Sequence, residues 1–214
     1  MPVDTMTAKA VQDVLNDADF WEGIRQQMYR RFWPVSRRIV VQGIESAENI
    51  GVVFTDDVVN EQALGLVRQW MPEWWSTVEA TTREGLRTAI DTWLSLGLGK
   101  RGMPDLIDAI EPLFGRKRAE RIAATEVTRL FAEGQKLAGD ADPEVVGYVW
   151  LTAQDELVCP ICAPRHGKIY PKGQVPDIPA HVHDRCNLHA ADARYVRAHR
   201  AQWQGAQLPP RGVA

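Results

Sequence analysis

Cys159-Pro160-Ile161-Cys162, followed by Pro179-Ala180-His181-Val182-His183-Asp184-Arg185-Cys186, are the stretches on which the reading of this chain turns. Two thiols on one tight turn can reach the same tetrahedral ion. Zinc held in this way takes soft sulfur and imidazole nitrogen, and four protein ligands close a structural site. Cys186 is the natural third ligand. His181 as the fourth gives Cys-x2-Cys-x18-His-x4-Cys, and His183 gives Cys-x2-Cys-x20-His-x2-Cys; spacing does not choose between them. The chain has three cysteines, all in this region, an odd number that makes a poor disulfide framework and a good metal-ligand count.

Working outward, 145–151 (Val-Val-Gly-Tyr-Val-Trp-Leu) is β-prone and reads as a strand, and 167–170 as a second short one. Pro171, Pro176 and Pro179 punctuate an extended loop. Residues 190–204 are expected to form a last helix, and 208–212 a tail that needs a partner to become ordered. This unit of about fifty residues has few large apolar groups outside the first strand, so a metal staple makes physical sense, and binding would supply much of its folding free energy.

Upstream the pattern is helical. Gly139-Asp140-Ala141-Asp142-Pro143 reads as a turn-rich linker and domain boundary. Residues 116–138 are expected to be one helix with Ala119, Ile122, Ala123, Val127, Leu130, Phe131 and Leu137 as its buried stripe. Pro104 opens a short helix over 105–114. A helix over 7–28 is expected to end or bend at Pro34, and 35–53 is ambiguous, with Gly43 and Gly51 as breaks. Thr55 marks a further helix start, and Pro72 the first turn of a new helix running to about Leu96. Trp70 and Trp74, four residues apart beside Trp75, share a face if the helix is merely kinked, and filling a helical core is favoured over binding a partner.

The expected fold is therefore α+β, mostly α. A helical body (1–142) precedes a small β-containing, zinc-stabilised module (143–193), with a C-terminal helix and extended tail (194–214). No run is long enough for a membrane span, and residues 1–10 lack the basic start and apolar region of a secretion signal. The formal net charge of -3 over 214 residues argues against coating nucleic acid through an overall field. Arg116-Lys117-Arg118 with Arg121, and Arg194, Arg197 and Arg200, are local basic groups better read as solvated helix faces.

A catalytic zinc keeps an open position beside an acid or base. Glu156 lies close in sequence, but nothing matches the His-x-Glu signature of zinc deaminases. Cys-x2-Cys as a redox pair lacks the helix N-terminus that lowers a thiol pKa. His166, His189 and His199 read as surface histidines. The enzymatic alternative is a treble-clef (HNH-like) nuclease or DNA-binding module, with His181 or His183 and Asn187 or His189 holding a second metal near phosphate. That reading requires a strand and then a helix after the histidine.

Several features occur in a telling order. Arg121-Ile122-Ala123-Ala124-Thr125-Glu126 lies in a long helix, and a strand with Trp150, Thr152 and Asp155 follows. Val158-Cys159-Pro160-Ile161-Cys162 and Gly167 come next, and Pro179 to Cys186 last. This succession, over roughly Thr82 to Leu188, resembles the phage head morphogenesis family, the Mu F-like minor head proteins of tailed bacteriophages. That family's ending usually reads Pro-x-His-x-x-Cys-Arg-Cys. Against it, His181, Arg185 and Cys186 fall on the histidine, arginine and final cysteine, and Asp184 replaces the first cysteine. The resemblance implies His181 rather than His183 as the ligand beside Cys159, Cys162 and Cys186, with Asp184 either uninvolved or standing in as an oxygen ligand. It also implies a non-enzymatic minor capsid protein, made in the host cytoplasm and incorporated into the virion in several copies near the portal vertex. Its partners would be the portal protein, with the major capsid protein and packaged DNA as further contacts and no membrane.

Overall fold

The computed structural model describes residues 16–48, 56–95 and 115–209, together with Asp13, Asp108 and 111–113. Among these, three long helices precede a small three-stranded antiparallel sheet carrying the Cys/His cluster. The helices are α1 (Ala18–Glu48), α2 (Asp56–Ser95) and α3 (Arg116–Ala141). The strands are β1 (Val145–Leu151), β2 (Ile169–Pro171) and β3 (Asn187–Asp192), and α4 (Ala193–Ala198) follows. Of the short helix expected over 105–114 only Asp108 and 111–113 are described, and these are helical; the rest of it, most of the 7–28 helix before residue 16, and the tail beyond 209 lie outside the described residues.

Neither Pro34, expected to end or bend its helix, nor Pro72, expected to begin a new one, ends a helix. Pro34 lies inside α1 and Pro72 inside α2, so the ambiguous stretch from residue 35 is helical through Glu48. An internal proline costs about 3 kcal/mol through its missing N–H and its clash with the preceding turn. Burial on either side offsets it: Val40 and Ile44 are fully buried in α1, and Met71, Trp74 and Trp75 in α2 are at most 5% exposed. A buried side chain of this size contributes about 1.5–3 kcal/mol.

The chain forms two compact units, Met1–Pro34 with Arg68–Glu120, and Val35–Val67 with Arg121–Ala214. The first is built on aromatics. Trp70 stacks on Trp74 with centroids 5.3 Å apart, Phe32 lies 5.0 Å from Trp74, and the Arg83 guanidinium sits 4.7 Å over the Trp21 ring. Trp74 and Trp75 are core residues here. Arg118 is tied to Thr81 and Thr82 and to the Leu113 carbonyl, and Arg116 pairs with Glu120.

The second unit contains the sheet. Its α1 and α3 segments cross backbone to backbone: a Cβ on Gly43 would lie 2.3 Å from the Phe131 carbonyl oxygen, and one on Gly134 would lie 2.4 Å from that of Val40. Gly43 is therefore a contact point within a helix, not a break. The expected apolar stripe of α3 is also corrected. Ala119, Ala123 and Val127 are exposed, and Ile122, Phe131 and Leu137 are only part-buried. The buried face is Thr125, Thr128, Leu130, Ala132, Gly134, Gln135, Ala138 and Gly139. α3 runs on through the expected linker to Ala141. Gly139 lies in its last turn because the Tyr148 ring packs where a Cβ would be, 2.6 Å from the phenol oxygen.

The sheet order is β2-β1-β3. An irregularity between Val145 and Gly147 shifts the register against β3. It places Val145 on the same face as Tyr148 and Trp150, which strict alternation would not allow. That face packs with Ala132 of α3, Ile178, Leu188, Cys162 and Cys186. The opposite face carries Val149, Ile169, Ala191 and Val196 of α4, with Trp203 against them. A strand covered on both sides reads as the continuous apolar run seen in the sequence. The helix expected over 190–204 is corrected: 187–192 pairs with β1 as β3, and only 193–198 is α-helical, started by the Asp192 carboxylate accepting the Tyr195 N–H.

Candidate metal centre

After β1 the chain turns at Asp155, whose carboxylate accepts the Leu157 N–H and whose carbonyl accepts the Val158 N–H. Cys159-Pro160-Ile161-Cys162 is then a β-turn closed by the Cys162 N–H on the Cys159 carbonyl at 3.1 Å. Pro160 occupies the second position, where its fixed φ suits the turn. The Cys162 N–H also lies 3.3 Å from Cys159 Sγ, so the backbone faces the first thiol.

The second stretch folds around Asp184, 1% exposed. Its Oδ2 accepts the Ala180 N–H at 2.7 Å and its Oδ1 the Cys186 N–H at 2.8 Å. His183 adopts φ +66°, a left-handed conformation that costs about 1–3 kcal/mol. Its N–H is donated to Thr125 Oγ1 at 2.8 Å. Arg185 reaches back to Asp155 through two contacts of 2.7 Å, tying the ligand loop to the turn before Cys159.

These two stretches bring together Cys159, Cys162 and His181 as one group of donors, and Cys162, Asp184 and Cys186 as another, each within 4.8 Å. Cys162 belongs to both. His181 Nε2 lies 3.0 Å from Cys159 Sγ and 3.3 Å from Cys162 Sγ. Zinc–sulfur and zinc–nitrogen bonds set at tetrahedral angles imply a separation of about 3.5 Å between such donors, so these atoms need open only slightly around an ion. His181 Nδ1 lies 2.8 Å from the Val182 carbonyl, which can only accept. Nδ1 is therefore the protonated nitrogen, and Nε2 presents its lone pair to the thiols, the arrangement that orients ligating histidines. Either group could hold a metal ion.

Burial dominates the electrostatics of the thiols. Burial pushes the Cys162 thiol up to about 11. Burial, then the neighbouring Asp184, raises Cys186 as well. Burial also opposes ionisation of Cys159, but the Cys162 and Ile161 N–H groups outweigh it and hold that thiol below its ordinary range. The Val182 carbonyl raises His181. Burial works against the Asp184 carboxylate, yet the Cys186 thiol and the two N–H groups leave it below its usual range. The fully buried Trp150 Nε1–H makes no regular hydrogen bond, but it lies near enough to Cys186 to favour the thiolate. A metal-bound Cys186 thiolate would give it an acceptor.

His183 and His189 join no such donor group among the described residues, and His189 is exposed on β3. His166 Nδ1 accepts the Thr152 N–H at 3.2 Å. Three side chains reach the 183–188 segment from α3: Thr125, quoted above only within the helical motif, and Thr128 and Gln135, not singled out in the sequence, the last accepting the Leu188 N–H at 2.9 Å. Their spacing along one helical face was the available signal. Comparison with protein families, curated proteins and solved structures finds no match for this chain.

Proposed function

We propose that this chain is a non-enzymatic assembly protein whose C-terminal part is stapled by one zinc ion on Cys159, Cys162, His181 and Cys186. The observation that carries the metal reading is the convergence of Cys159, Cys162 and His181 from stretches some twenty residues apart, with Cys186 joined to them through Cys162. Three sulfurs and one imidazole are the donor set of a closed structural zinc site, with no position left for substrate. When bound, the ion would cross-link the turn after β1 to the loop before β3; Asp184, His183 and Arg185 already hold that loop by hydrogen bonds.

The ordered residues from Arg121 to Cys186 support the further reading of a minor head protein of a tailed phage, incorporated near the portal vertex. Its partner there is the portal protein, and the major capsid protein and packaged DNA are further contacts. Metal analysis of the purified chain is expected to find about one zinc per chain, and co-expression to co-purify it with the portal protein encoded beside it. No bound zinc would sink the first reading, and absence of a portal gene together with no co-purification the second.

The nuclease reading is favoured by one observation: β3 and then α4 follow the histidines, the strand-then-helix order it requires. It predicts DNA cleavage with magnesium, manganese or nickel that His183→Ala, Asn187→Ala and His189→Ala abolish. Absence of cleavage by the purified protein with all three ions rejects it.

A further inference from the structure

The cluster offers five donors, and a tetrahedral ion uses four. Asp184 is the one oxygen donor of the five, and its atoms are already engaged. Both carboxylate oxygens accept backbone N–H groups, those of Ala180 and Cys186, which lie on either side of the loop carrying His181. Cys162 Sγ is 3.8 Å from Oδ1, and the Cys186 thiol also interacts with the carboxylate. The backbone of Asp184 is held in turn from outside, since Thr128 Oγ1 donates to its carbonyl at 2.6 Å. Thr125 takes the His183 N–H one residue before, and Gln135 the Leu188 N–H beyond Cys186. Thr125, Thr128 and Gln135 are each only 9% exposed.

We propose that Asp184 is a positioning residue of the metal centre and not one of its ligands, and that Thr125, Thr128 and Gln135 of α3 form with it the outer sphere that orients His181 and Cys186. This rests on the metal reading above. Thr128 fixes Asp184, and Asp184 fixes the loop on both sides of its ligands, so the ligand geometry depends on a helix that contributes no ligand. Outer partners of this kind typically alter metal affinity about 10–100-fold when removed.

The test uses the full chain with Zn2+ alone, by competition against a chromogenic chelator, and Co2+ alone, by its absorption spectrum. Thr128→Val, which keeps shape but removes the donor, is expected to weaken Zn2+ binding about 10–100-fold, and Thr128→Ser to restore it. Asp184→Asn, which keeps one acceptor oxygen, is expected to weaken Zn2+ while leaving the Co2+ ligand-field and thiolate bands unchanged. A changed Co2+ spectrum in Asp184→Asn makes Asp184 a ligand and overturns the assignment. Wild-type affinity in Thr128→Val overturns the part given to α3, as does an equal loss of thermal stability with and without metal and no loss of affinity. If Asp184→Asn does not fold, the Thr128 pair decides. Failure of the wild-type chain to bind either ion sinks the metal reading itself, whereas metal binding with insensitive variants sinks only this inference.

Discussion

Cys162 is the hinge of the donor cluster, since it is shared by both groups and is 2% exposed where Cys159 is part-exposed. Cys162→Ser is therefore expected to lose more metal affinity than Cys159→Ser or Cys186→Ser, and more than the roughly 10–100-fold of an outer partner. Isothermal titration with Zn2+ checks the order. Because a bound ion would take the thiolate, protons would compete with it, and with the Cys162 thiol raised by burial, affinity is expected to fall as pH falls. Tyr148 is a separate case of buried ionisation. Burial and the Asp140 carboxylate, 2.7 Å from its hydroxyl, raise its phenol. A folded pKa raised above the unfolded one contributes stability fully present below the unfolded value, near 10, and lost as pH rises through the folded value. In an alkaline absorbance titration Tyr148 is expected to ionise last of the four tyrosines and only as the fold opens. Ionisation of all four together in native protein would contradict this. The Cys/His donor cluster was legible because cysteines clustered at metal spacing have few other uses. Thr125, Thr128 and Gln135 were not, because a polar helix residue looks the same whether it meets water or a buried loop.

At the scale of elements, the crossing of α1 and α3 makes two glycine positions behave oppositely. Gly134→Ala places a methyl 2.4 Å from the Val40 carbonyl oxygen, with backbone on all sides, and is expected to destabilise by about 2 kcal/mol or more. Gly65→Ala in α2 meets nothing within 4 Å and is expected to stabilise by about 0.5–1 kcal/mol through helix propensity. Urea midpoints of the two variants measure both signs. The same contrast explains the elements misread in sequence. Pro34, Pro72 and Gly43 break isolated helices, but here flanking burial or close helix contact outweighs the local preference. Residues 187–192 lack a strong strand signature and become β3 because β1 offers them a complete edge. β1 itself was legible, since its run of β-branched and aromatic residues needs no partner to be recognised.

For the whole molecule, the consequence of the metal reading is uneven stability. Chelation is expected to raise amide exchange across 145–190 while residues 68–89, packed around Trp74 and Trp75, keep their protection. Hydrogen exchange with and without chelator reads this directly, and uniform loss of protection would contradict it. By itself the sequence determined the helical character of the first two-thirds, the strand at 145–151 and the Cys/His donors. Those depend on residue type and local spacing, which a linear chain carries. Only the tertiary structure decided that the prolines stay inside their helices, that 187–192 is a strand, and that the buried face of α3 includes Thr125, Thr128 and Gln135. It also decided that Asp184 binds N–H groups of its own loop. All but the last turn on which distant segment arrives to supply burial or a hydrogen-bond partner, and the free energy of that meeting exceeds the local preferences the sequence displays.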